Sequence, residues 1–380
     1  MKKILTLVIV ISLFLTLNVS GQGCIAVRSG CGANVNGSGF LLMKGEWQVG
    51  TNFRYFHSFR HFRGSHEETE RVEEGTEVIN NSYFMDMLMS YGISDRLTLN
   101  FTLPFVYHDR SSMYEHGGNP SEDDPMTPED ESWAGDRHIT TAGGLADIRI
   151  SASYWVIDPA KHTNGNVSIG AGIKLPTGNY RVEDTFYNAG ENDDETIVSG
   201  VDQSIQPGDG GFGITFESQA YRVLSDRFSL SSSLYYMINP REKYELEARG
   251  RLRDYSVPDQ YAARLGAFYS TSVQGLGLYG GARLEGIPSS DLIGGDEGFR
   301  RPGYIVSLEP GVSYGVRNMA FNLTVPLAIS RNRVKNYSDK QSGRHGDAAF
   351  ADYLINFSFL LKLGKKHDDS DLFQDAPSKL

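Results

Sequence analysis

The chain has 380 residues, a formal net charge of −11 and a mean hydropathy of −0.35. An acidic chain repels the phosphates of a nucleic acid, so that class of partner is disfavoured. Apart from an uncharged run at the start, no segment approaches the roughly 18 apolar residues that a spanning helix needs. Any membrane-spanning role therefore falls to strands.

The N-terminus is read first. Lys2 and Lys3 precede the uncharged run from Ile4 to Val19, which is followed by Ser20, Gly21 and Gln22. A basic start, an apolar stretch and a small-residue end make a secretory signal peptide, 1–21, cut after Gly21. The segment 22–38 is rich in Gly and holds the chain's two cysteines, Cys24 and Cys31. In an exported chain two close cysteines form one small disulfide loop. A metal site would need further ligands nearby, and the segment supplies none, so neither a metal nor a cofactor is expected.

From residue 39 to 364 the sequence predicts an all-β transmembrane up-and-down antiparallel barrel of about twelve strands. Leu97–Tyr107 shows the pattern: Leu97, Leu99, Phe101, Leu103, Phe105 and Tyr107 fall on one parity, Thr98, Asn100, Thr102 and Pro104 on the other. Side chains alternate across a strand, so one face is apolar and the other mostly polar. The same reading gives outward faces at Trp47–Tyr55, Tyr83–Tyr91, Ala146–Tyr154, Val167–Leu175, Phe228–Tyr236 and Tyr353–Leu361, with Tyr and Trp near their ends as interfacial girdles require.

Connections alternate between short and long. Ser94–Arg96, Asp158–Gly165, Ser225–Arg227, Gln274–Gly275 and Arg317–Asn318 are short. Residues near 64–76, 111–137, 183–209, 244–256, 288–301 and 332–346 form long polar segments. Tight turns at one end and long loops at the other are the signature of an outer-membrane barrel, and an even strand number leaves both of its ends in the periplasm. The polar tail 365–380 is then expected to be a disordered periplasmic end.

Charge parity separates this architecture from a soluble sandwich. Arg54, Asp86, Asp147, Arg149, Lys174, Glu217, Arg264, Arg283, Glu285 and Asp352 share the parity opposite to the apolar faces. Charges in a dry sandwich core would be prohibitive without partners, whereas a wetted or partly plugged lumen tolerates them. These residues are the candidate lumen-lining and selectivity network. Segments 64–79, 115–136 and 183–209 hold 22 of the 47 acidic residues and a single base, Arg71. Such loops read first as solvated segments kept soluble by like charge; the functional alternative is an acidic vestibule that concentrates cations, or a site for calcium bridging to lipopolysaccharide.

Pro104, Pro176 and Pro326 recur at matching places on the outgoing strands. Proline removes a ladder hydrogen bond, so each marks a bulge, a hinge or a lateral gap in the wall. The runs Gly144-Leu145-Ala146-Asp147-Ile148-Arg149-Ile150 and Gly172-Ile173-Lys174-Leu175-Pro176-Thr177-Gly178 resemble the outer-membrane proteins grouped under the meta-pathway of phenol degradation. Asp95–Leu99 followed by Leu103-Pro104-Phe105 is similar to the same family. The resemblance implies a transporter-like barrel admitting small organic compounds, with no catalytic set to carry over.

His57, His61, His66, His108, His116 and His138 gather at the outer ends of the first four strands, where a surface metal site is conceivable. No nucleophile motif such as Gly-x-Ser-x-Gly occurs, so a hydrolase is disfavoured. The expectation is a Gram-negative outer-membrane channel, surrounded by lipid and lipopolysaccharide and passing a small-molecule solute. A non-conducting scaffold barrel is the alternative.

Overall fold

The computed structural model describes residues 41–116, 137–159, 161–189, 195–248 and 251–364. The expected signal peptide, the expected Cys24–Cys31 disulfide loop and the 365–380 tail lie outside the described residues.

Twelve wall strands close into one antiparallel barrel. In chain order they are β1 (Trp47–Arg63), β2 (Ile79–Gly92), β3 (Leu97–Ser112), β4 (His138–Leu145 continued by Arg149–Trp155) and β5 (Gly165–Lys174). They continue as β6 (Gly213–Val223), β7 (Phe228–Ile238), β8 (Gln260–Ser270) and β9 (Leu276–Ile287). The last three are β10 (Gly303–Val316), β11 (Met319–Thr324 continued by Leu327–Arg333) and β12 (Ala348–Leu363). Each strand pairs with the next, and β12 closes on β1 from Trp47↔Leu363 to Phe62↔Ala348. Closure satisfies every wall strand on both sides and removes the free edges that a membrane interior does not tolerate.

The outward apolar faces are where alternation puts them. Ile169, Leu234 and Leu265 are 57%, 58% and 63% exposed. Side chains of this kind contribute about 1.5–3 kcal/mol each when taken out of water, so a continuous exposed belt of them requires lipid around it. Two aromatic rows frame the belt. Trp47 packs on Tyr91 at the short-turn end, with ring centroids 4.5 Å apart. At the long-loop end Tyr55, Tyr83 and Tyr107 stand side by side in register, with centroid separations of 4.9 and 6.2 Å. The eight residue steps from Trp47 to Tyr55 span about 27 Å of strand, or roughly 20 Å along the normal at a barrel tilt of about 40°. That matches the apolar thickness such a wall must cover.

The wall is interrupted twice, and the prolines mark both places. On β3, Thr102 pairs with Arg149 and Phe105 with Leu145, so two residues of β3 face three of β4, Ala146–Ile148. The extra residue flips the parity of β4: Thr140 and Ala142 are buried above the interruption, Arg149 and Ser151 below it. An odd insertion has this effect on any strand. Ala146 therefore does not face lipid, as simple alternation predicts, but is fully buried on the lumen side. Pro104, with no N–H to give, accepts from the Ala146 N–H at 2.8 Å. The second interruption divides β11 at Val325–Pro326. There the Pro326 carbonyl accepts from Leu354 and the Pro310 carbonyl from Val325, each at 3.0 Å.

The long connections are more ordered than their polarity suggests. Glu183–Ala189 pairs with Glu195–Gly200, and Lys243–Ala248 with Arg251–Ser256, as two hairpins beyond the barrel rim. Tyr244, Leu246, Ala248, Tyr255 and Val257 form a buried cluster under the second hairpin. Ala142, Val201 and Ile205 form another where the first meets the wall. Short helices α1 (Glu70–Glu73) and α2 (Tyr337–Ser342) complete the described outer rim.

Candidate functional site

The lumen and its outer cap bring the inward-facing residues together in three levels. The uppermost is an ion network between cap and wall. Asp202 receives Arg301 in a bidentate pair, with both contacts at 2.8 Å, and lies 3.7 Å from Arg110 of β3. Arg110 also holds Glu115 at 2.8 Å. Burial alone would raise the Asp202 carboxyl, but the two guanidiniums override it and hold it well below the usual carboxylate range.

The histidines do not converge. The His61 ring bonds Asp347 through Nδ1 at 2.5 Å and accepts the Val78 N–H through Nε2 at 2.8 Å. His57 meets Asn81, His108 meets Ser82, and His116 stands with His138 at a centroid separation of 5.0 Å. Among the described residues no group of three His, Cys, Asp or Glu is arranged to hold a metal. Burial pushes the Asp347 carboxyl up, but the His61 hydrogen bond and the Arg71 guanidinium, 3.2 Å away, outweigh it and leave the carboxyl well below its usual range.

The middle level is apolar. Phe56, Phe84, Val106 and Leu354 point inward from β1, β2, β3 and β12 and form one buried cluster with Ala146. This belt joins the two wall interruptions, because the Ala146 and Leu354 amides are the ones that bond Pro104 and Pro326. Sequence reading that treats the lumen face as polar misses it. The signal was present as broken alternation in Tyr83-Phe84-Met85, Phe105-Val106-Tyr107 and Tyr353-Leu354-Ile355, where three apolar residues run together.

Below and beside the belt lies a ring of charge. Arg54 meets Asp86 at 3.3 Å, with both side chains nearly inaccessible. Arg264 grips Glu309 through two bonds at 2.6 and 2.9 Å. Arg283 binds Glu285 at 2.7 Å and lies 3.8 Å from Glu309. Thr324 donates to Glu309 at 2.9 Å, so that carboxylate, fully buried, is held from three strands. Glu309 was not singled out from the sequence, although Ser307, Glu309, Gly311 and Ser313 alternate with Leu308 and Val312 on β10. Glu217 and Arg149 are also buried on lumen parity. Asp352 sits apart from this ring. Its side chain is 40% exposed and bonds Arg60 at 2.6 Å, next to a register shift in the β1–β12 pairing.

The two family-like runs form one junction at the β4 interruption. Thr177 stands where β5 would have continued the ladder: its hydroxyl donates to the Ala146 carbonyl at 3.0 Å and accepts the Ile148 N–H at 2.9 Å. Asp147 accepts from the Gly178 N–H at 2.9 Å and lies 3.5 Å from the Lys174 ammonium, which also bonds Asp209. Gly178 and Gly208 cross so closely that a Cβ on Gly208 would meet the Gly178 carbonyl oxygen at 2.4 Å. A side-chain staple and two glycines thus replace regular pairing at this point of the wall.

No protein-family model matches the sequence, and no curated protein matches it. Solved structures match in fold. The COG4313 outer membrane channel from Pseudomonas putida F1 is 12% identical, with a TM-score of 0.56 over 85% of this chain and 97% of that one. A Pseudomonas aeruginosa FadL homologue is 7% identical, with a TM-score of 0.42 over 90% and 99% of the two chains. The Pseudomonas putida toluene transporter TodX is 10% identical, with a TM-score of 0.41 over 86% and 91%. At 12% identity the likeness to the COG4313 channel is one of fold: this chain is built as an outer-membrane barrel is built.

Proposed function

We propose that the chain is an outer-membrane channel for the passive passage of small organic solutes. The observation that carries this reading is the inward apolar belt of Phe56, Phe84, Val106, Ala146 and Leu354, set among polar and charged groups and a smaller apolar cluster of Tyr235, Met237 and Ala262. A diffusion pore for ions has no use for such a belt, whereas a solute with an apolar body gains about 25 cal/mol for each Å² it buries there. Polar ends of the solute are met by the charged ring. Resemblance of the Gly144–Ile150 and Gly172–Gly178 runs to barrels linked with phenol degradation points to the same solute class. In this setting the exposed outer belt contacts lipid, and the acidic outer loops face the cell exterior and its lipopolysaccharide.

Single-channel recording in planar bilayers tests the reading. Discrete conductance steps that shorten or flicker when a small organic solute is added are expected. A silent membrane at protein loads that give verified insertion would favour the scaffold reading instead.

A further inference from the structure

The connection from β9 to β10 opens with Pro288-Ser289-Ser290-Asp291-Leu292-Ile293-Gly294-Gly295. Its one charge in this stretch, Asp291, is sealed against Arg300 in a bidentate pair, both contacts at 2.7 Å, with both side chains inaccessible. Leu292 and Ile293 beside it are 68% and 56% exposed, as far out as the lipid-facing Leu265 and Leu234. Single exposed aliphatic residues are ordinary on any surface. Two adjacent ones, in an uncharged tip on an otherwise acidic rim, call for a partner.

Hydrogen bonds fix where that tip stands. Tyr236 of β7 shares the outward parity of Leu234, and it lies in register with Tyr261 of β8, Gly286 of β9 and Tyr304 of β10. Three tyrosines in one outward row at the long-loop end form the interfacial girdle of this side of the wall. One oxygen of Asp259 accepts both the Tyr236 hydroxyl and the Leu292 N–H, each at 2.9 Å. Leu292 is thus tied to the level of the girdle hydroxyls, on the lipid side of the wall rather than over the lumen.

The tip is also braced in advance. Asp291 accepts the Asp259 N–H at 2.9 Å, and Asp259 in turn holds the Asn239 N–H at 2.8 Å with its second oxygen. Arg300 donates to the Gly295 carbonyl at 2.8 Å. A segment held in this way loses little conformational freedom when it meets a partner.

We infer that Leu292 and Ile293 form an interfacial anchor that enters the acyl layer of the outer leaflet beside Tyr236. Continuity with the lipid-facing belt through Leu234 and Tyr236 selects lipid as the occupant, and the uncharged tip suits acyl chains rather than headgroups. Asp296 and Glu297 follow the two glycines, so charge resumes just past the tip, where the chain returns to the acidic rim. The inference rests on the outer-membrane setting of the barrel and not on solute passage.

The test is NMR of the full chain, with labelled leucine and isoleucine methyl groups, in phospholipid nanodiscs. Leu292→Ala and Ile293→Val, mild changes at exposed positions, assign the two residues by loss of their resonances. Cross-peaks from acyl-chain methylene protons are expected at both residues with intensities comparable to those at Leu265. They are expected to be missing at Leu252, which is 67% exposed on the second outer hairpin. Water cross-peaks without acyl cross-peaks at Leu292 and Ile293, as at Leu252, would overturn the anchor. So would cross-peaks from a second, differently labelled copy of the chain in place of those from lipid. The readout is indifferent to conductance, so a silent bilayer would sink the channel reading and leave the anchor standing.

Discussion

Arg264 and Glu309 face each other from β8 and β10 across the intervening β9, joined by two parallel bonds of 2.9 and 2.6 Å. Removing one partner of such a buried pair leaves the other charge uncompensated, at a cost of about 3–5 kcal/mol. Glu309→Gln is therefore expected to lower the urea midpoint of unfolding markedly. It also leaves the ring one negative charge poorer, so the reversal potential in a salt gradient is expected to move toward anions. A variant with unchanged stability and selectivity would show that the ring is not organised around Glu309.

The cap is tied to the wall through Asp202. A carboxyl held below its ordinary value contributes stability that is present above that ordinary value and lost only as pH falls through the depressed one. Arg110 and Arg301 cause that depression against the opposing effect of burial. The cap is thus expected to resist protease across neutral and mildly acidic pH. Arg301→Gln removes one of the two cations and is expected to shift cleavage of the two outer hairpins to higher pH. Identical pH profiles for parent and variant would contradict the linkage.

Thr177 substitutes for a missing stretch of ladder. Thr177→Val keeps its shape but deprives Ala146 and Ile148 of their partners. A loss of about 1–3 kcal/mol in local stability follows, read as faster amide hydrogen exchange at residues 146–148 with little change elsewhere. Uniform protection in the variant would mean that the junction is held by the surrounding barrel alone.

At the crossing of Gly178 and Gly208, a Cβ on Gly208 runs into backbone rather than a movable side chain. Gly208→Ala is expected to displace the segment that carries Asp209 and so to loosen its bond to Lys174, at a cost of about 1–3 kcal/mol. Larger or noisier conductance is the expected readout. Unaltered recordings would separate this crossing from solute passage.

The twelve strands were legible because two periodic signals agreed: alternation along each strand, and short turns alternating with long connections. Arg54 and Asp86 fall on lumen parity for the same reason, but their pairing follows from the β1–β2 register, Asn52 opposite Asp86 and Arg54 opposite Phe84, which the long connection between those strands does not reveal. Ala146 escaped because one extra residue opposite Pro104 flips parity, and a proline on a neighbouring strand does not announce which strand receives the insertion. The outer hairpins escaped because acidic, polar segments look like solvated loops. Their order depends on contacts such as Asp202 with Arg110 and Arg301, which lie 92 and 99 residues away in sequence. Glu309 and the apolar belt were visible as local patterns but acquire meaning only when β1, β2, β3 and β12, or β8 and β10, are brought around one lumen.

Uptake into vesicles tests the central claim most directly. Vesicles carrying the purified chain are compared with protein-free vesicles for entry of benzoate at about pH 8, where the acid is ionised and crosses lipid slowly. The account predicts faster benzoate entry in the protein vesicles and no gain for a disaccharide too large for a bore of twelve strands. Benzoate entry equal to that of protein-free vesicles would contradict it.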